Sequence, residues 1–143
     1  MAGFDLDRLT HVFGANVVHD EAKASAMLTH GFGEEDFLRG HFPGFPVVPG
    51  VILLDGMMLA AVRAFERLTG RSGNEIDRIA VDNATFYRPV LPGMAASFTA
   101  RADVPQQAGH GVAARCSVMI GGARHARASM SFHTHGDRVS PEN

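Results

Sequence analysis

The chain has 143 residues, 45% of them hydrophobic and 20% charged, and its 13 basic and 15 acidic side chains leave a net charge of −2. That balance suits one globular domain and excludes a disordered or low-complexity chain. It also argues against nucleic acid as a partner, because there is no basic excess, no Trp and only one Tyr to stack on a base.

Cys116 is the single cysteine, so neither an intrachain disulfide nor a Cys-built metal cluster is available. Met1 to Arg8 carries acids and lacks a signal-peptide core. The longest apolar run, Val51 to Val62, is interrupted by Asp55 and is shorter than the roughly 20 residues of a membrane span. A cytoplasmic location without membrane contact is the expectation.

In chain order, His11 to Val18 and Lys23 to His30 read as two strands paired across His19-Asp20-Glu21, and Glu34 to Leu38 as a short helical turn. Pro49-Gly50 then opens a helix that runs to about Leu68, with Gly70 as its C-cap. About 18 residues at ~1.5 Å each give a length of roughly 27 Å. Its first twelve positions after Gly50 are apolar on every side except Asp55, which marks a buried helix.

Ile79 to Phe86 reads as a further strand. Strict alternation marks three more. Met94, Ala96, Phe98, Ala100 and Ala102 share one face of the first, and Val112, Ala114, Cys116, Val118 and Ile120 one face of the second. Ala126, Ala128, Met130 and Phe132 share a face of the third, opposite His125, Arg127, Ser129, Ser131 and His133. Pro105 to Gly111 is a loop, and Gly121-Gly122 suits a tight hairpin because glycine accepts positive φ. The expected fold class is α+β, an antiparallel sheet wrapped around a long central helix. Residues 1–135 form the one domain and 136–143 a loose polar tail.

A lone carboxylate in an apolar helix is the anomaly. Asp55 lies five residues past Gly50, about 7.5 Å along the axis, near the positive end of the helix dipole. It either accepts hydrogen bonds from a neighbouring loop or takes part in chemistry. The preceding segment, Gly40 to Gly50, holds three prolines and three glycines, and His41 is its only titratable group. Such a stiff loop holds a side chain at a helix mouth. His41 is either tied to a backbone carbonyl or poised as a base. An imidazole, a carboxylate and free N–H groups at a helix start suit proton abstraction beside a carbonyl.

Gly40-His41-Phe42-Pro43-Gly44-x-Pro46-x-x-Pro49-Gly50-Val51 followed by Leu54-Asp55 resembles the signature of the hot-dog-fold β-hydroxyacyl-acyl-carrier-protein dehydratases. Glu35 to Leu38 resembles the family's acidic-aromatic lead-in, and Phe86-Tyr87-Arg88-Pro89-Val90-x-Pro92-Gly93 its second segment. The two segments cover about a quarter of the chain. The resemblance implies a hot-dog fold and a cofactor-free, metal-free conversion of a 3-hydroxyacyl thioester to a trans-2-enoyl thioester.

His41 would match the base that removes the proton beside the thioester carbonyl. Asp55 would match the carboxylate that helps the β-hydroxyl leave as water, and Asp there is typical of the branch that also isomerises the double bond. The N–H groups of Gly50 or Val51 would bind the thioester oxygen. Met57, Met58, Leu59 and Phe86 would line the acyl tunnel. The substrate carrier would be acyl carrier protein or CoA. The expected assembly is a homodimer, or a higher oligomer built from it, with the site at the interface.

Two departures stand out. The Gln usual one helical turn after the carboxylate is Leu59, and the N-terminal Tyr-Pro-Phe-Leu-Leu-type entry is missing. Arg39, Arg71 and Arg88 could serve an acidic carrier or be ordinary solvated charges. The other seven histidines, including His133 and His135 on one strand face, lack ligand spacing for a metal. The alternatives to a dehydratase are a hot-dog thioesterase and a catalytically silent acyl-binding partner subunit.

Overall fold

The computed structural model describes residues 4–20, 24–33, 47–104 and 111–134. The first element is helix α1, Leu6–Phe13, which replaces the expected strand from His11. Asp5 caps it by accepting a hydrogen bond from the Arg8 N–H at 3.1 Å, and Leu9 and Phe13 bury its inner face. Strand β1, Val18–Asp20, and strand β2, Ser25–Gly31, pair in antiparallel register, Val18 against Met27 and Asp20 against Ser25.

Helix α2 spans Gly50–Thr69 and ends on Gly70 in the left-handed region, as its sequence suggests. A short helical turn, Gly73–Glu75, leads into β3, Ile76–Phe86. Strands β4 (Ala95–Asp103), β5 (Ala113–Ile120) and β6 (Ala123–Thr134) form the expected meander, with Gly121 and Gly122 at φ 57° and 83° in the hairpin turn.

All neighbours in the six-stranded sheet are antiparallel, in the order β1-β2-β4-β5-β6-β3. The hot-dog arrangement follows from this: one face of the sheet curls around α2, and the residues that alternation assigned to the core lie there. Leu28, Phe98, Val118, Met130 and Phe132 are all buried, and Leu59, Val62 and Phe65 meet them from α2. Helix and sheet approach closely at Gly56. A Cβ there would lie 2.3 Å from Cε1 of Phe98, so only glycine fits without displacement.

One departure from alternation has a visible cause. Val118 pairs with Ala126 but Met119 pairs with Arg124, so β6 carries one extra residue, His125. The bulge turns His125 inward, and it is only 7% exposed instead of sharing the solvent face with Arg127. The helical turn at Glu34 to Leu38, most of the loop at Pro105 to Gly111 and the tail 136–143 lie outside the described residues. No helix among the described residues is long and apolar enough to cross a membrane.

Candidate active site

The mouth of α2 is assembled from three segments. Pro49 is the N-cap, in an extended conformation and without a side-chain cap. The first N–H groups of the helix, those of Gly50 and Val51, therefore have no partner within it. The approach to the helix is fixed by the Val48 N–H, which donates to the Val90 carbonyl at 2.8 Å. The segment after β3 is fixed by the bulge. The His125 carbonyl accepts from the N–H groups of Tyr87 and Arg88 at 2.8 and 3.2 Å. The His125 ring nitrogen Nδ1 lies 3.2 Å from the Pro89 carbonyl, a contact that requires the proton on Nδ1.

These ties border an open cavity of about 370 Å³ whose lining includes Val48, Gly50, Leu53, Phe86, Arg88 and Val90. The Phe86 ring stands over the helix start, 3.2 Å from where a Cβ on Gly50 would be. Phe86 is nevertheless 46% exposed, as Tyr87 and Val51 also are in large part. The helix mouth is thus mostly apolar, with Arg88 as the charged side chain of its lining, and half open to solvent.

Asp55 does not line that cavity. It lies about one and a half turns into α2, with its side chain 16% exposed, and it is paired with a cation. Arg8 on α1 donates from Nη1 to Oδ2 of Asp55 at 3.2 Å. Sequence reasoning missed Arg8 because 47 residues separate the two in the chain and no local spacing links them. The available signal was Asp5 as an N-cap followed by Leu6, Leu9 and Phe13 at helical spacing.

Met57 and Leu59 are buried in the seam between α2 and the sheet, and Met58 is half-buried. His41 and Arg39 lie outside the described residues. Arg71 pairs with Glu75 at 3.1 Å, and Arg88 is exposed. Burial pushes the Cys116 thiol up to about 12, so it is a packing residue and not a nucleophile. Among the described residues, no three His, Cys, Asp or Glu side chains are grouped to hold a metal.

The profile of a family described as ApeI-like dehydratase matches residues 18–117. The 3-hydroxyacyl-[acyl-carrier-protein] dehydratase FabZ of Thermus thermophilus is 44% identical over 75 residues, 52% of this chain and 52% of that protein. The FabZ of Allorhizobium ampelinum is 30% identical over 125 residues, 87% of this chain and 75% of the relative. The match to the FabZ of Rhizobium rhizogenes spans only 38% of that relative's length.

Two solved structures share the fold. The dehydratase heterocomplex ApeI:P of Xenorhabdus doucetiae aligns with a TM-score of 0.55 at 20% identity, over 82% of this chain and 96% of that one. An acyl-CoA hydrolase of Staphylococcus aureus aligns with a TM-score of 0.59 at 11% identity, over 85% and 67%.

Proposed function

The chain belongs to the ApeI-like dehydratase family, and from that membership we propose that it dehydrates a 3-hydroxyacyl thioester, carried by acyl carrier protein or CoA, to the trans-2-enoyl thioester. The observation that carries the reading is the pairing of a mostly apolar cavity at an uncapped helix start with Asp55, the one carboxylate in the apolar first three turns of the same helix.

The chemistry divides among three groups. The imidazole of His41 removes the proton from C2, beside the thioester carbonyl. The charge that develops on the thioester oxygen is received by the N–H groups of Gly50 and Val51, helped by the α2 dipole. The carboxylate of Asp55 holds the 3-hydroxyl, which takes the abstracted proton from the His41 imidazolium and leaves as water. One C–H and one C–O bond break, and one C=C and one O–H bond form. The proton His41 gains departs in that water, so no cofactor is consumed.

The position of Asp55 outside its own cavity fits a dimer. We read the site as shared, the cavity of one protomer completed by Asp55 of the partner subunit. Strand β3 ends the sheet, and Val81, Phe86, Tyr87 and Val51 are exposed on or beside it. An unpaired edge with apolar side chains is a surface for a second copy. Phe86, Met58 and, through small shifts of the seam, Met57 and Leu59 then bound the acyl chain.

The test is hydration of a trans-2-enoyl pantetheine thioester, followed by loss of its absorbance. The His41→Ala and Asp55→Asn substitutions are expected to lower kcat by about 10²- to 10⁴-fold. Wild-type rates in both variants would remove the assignment of those residues. Release of free thiol would favour a thioesterase, and acyl binding without turnover a silent subunit.

A further inference from the structure

The carboxylate of Asp55 is held from outside its own helix, by a guanidinium 3.2 Å away on α1. We propose that Arg8 is a positioning residue for Asp55, which takes Oδ2 and so directs Oδ1 at the 3-hydroxyl of the substrate. The inference rests on Asp55 being the catalytic carboxylate.

A carboxyl turns freely about its last torsion and presents two equivalent oxygens unless one is tied. Residue 59, one turn farther along α2, is a leucine sealed in the core and has no donor to offer. The donor instead comes from α1, and α1 is held so that it can deliver it. Asp5 fixes the Arg8 backbone N–H, and Leu9 and Phe13 are buried on the inner face. A second polar tie, from Arg63 to Thr10 Oγ1 at 3.3 Å, joins α1 to α2. Arg8 itself is 51% exposed, and a pair this wet contributes little to stability. Its effect lies in orientation, and a reacting group displaced by about 1 Å can lose on the order of 10²-fold in rate.

The enoyl-pantetheine hydration assay tests this with Arg8→Met, Arg8→Lys, Asp55→Asn and the double variant Arg8→Met/Asp55→Asn. Arg8→Met is expected to lose about 10- to 100-fold in kcat while KM stays within about twofold. Arg8→Lys keeps one donor and recovers part of the loss. Millimolar guanidinium ion raises the Arg8→Met rate and leaves wild type unchanged, which a merely structural role would not produce. In the Asp55→Asn background, Arg8→Met has no further effect, because residues that act through one another are not additive.

Wild-type kcat in Arg8→Met beside an impaired Asp55→Asn, or full additivity in the double variant, overturns the role of Arg8 and leaves that of Asp55 standing. Wild-type kcat in Asp55→Asn, or no turnover by the wild-type chain, overturns the reading of the site and this inference with it.

Discussion

The ring of Phe98 occupies the space that any side chain on residue 56 would need, with Cε1, Cδ1 and Cζ all within 2.6 Å of an ideal Cβ. Phe98 is fully buried between β2 and β5, so it has nowhere to retreat. Gly56→Ala therefore forces α2 off the sheet, and overpacking of this kind costs about 1–3 kcal/mol. Thermal unfolding is expected to show a lower Tm for Gly56→Ala. Gly56→Ala/Phe98→Leu should recover part of the loss, and a Tm unchanged in the single variant would contradict the close approach.

The thiol of Cys116 is neutral in the folded chain far into the alkaline range, because burial raises it from 9.0 to about 12. The unfolded chain has no such constraint. The stabilisation from keeping this group protonated is complete below pH 9 and falls away as pH rises from about 9 towards 12, by about 1.4 kcal/mol per unit. A thiol reagent at pH 8 should label Cys116 only after denaturant is added. Cys116→Ala should flatten the alkaline fall in stability measured by urea titration.

His125 links the bulge to the segment that borders the cavity. His125→Ala removes the ring contact with the Pro89 carbonyl but keeps both backbone bonds to Tyr87 and Arg88. The loss of one part-buried hydrogen bond to the carbonyl of an exposed proline predicts a drop of about 0.5–1.5 kcal/mol. Hydrogen exchange should quicken at Tyr87 and Arg88 more than in β4, and equal protection in variant and wild type would count against the latch.

Light scattering on the purified chain should give twice the chain mass. Val81→Asp places a charge on the exposed flank of β3 and should shift that mass towards a single chain, with loss of hydration activity in the monomeric fraction. An active monomer would exclude a shared site.

The parts of this fold that were legible in the chain are those with a repeating physical demand. Ala96, Phe98 and Ala100, or Ala128, Met130 and Phe132, must all face one side, and period two says so. The helix was equally plain, because the apolar run from Val51 to Val62, opened by Pro49 and continued to Gly70, is too long for a strand. Helix α1 was hidden by Val12, Val17 and Val18, whose β-branching suggests a strand, while the burial of Leu9 and Phe13, the latter edge-on to His30 and Phe98, decided the matter. The inward turn of His125 depends on register with Met119, which no single strand reveals. Arg8 meets Asp55 only because α1 docks on α2, and the chemistry of either residue alone does not announce the other.

The surplus residue in β6 also works as a phase change along one strand. Before it, the inward positions of β6 follow one count; after it, they follow another, which puts Ala126, Ala128, Met130 and Phe132 inside. Deleting position 125 would restore an even ladder at the expense of the neighbouring segment, leaving the Tyr87 and Arg88 amides and the Pro89 carbonyl to find other partners. A one-residue deletion far from Asp55 in the chain would then alter the rim of the cavity at the helix mouth.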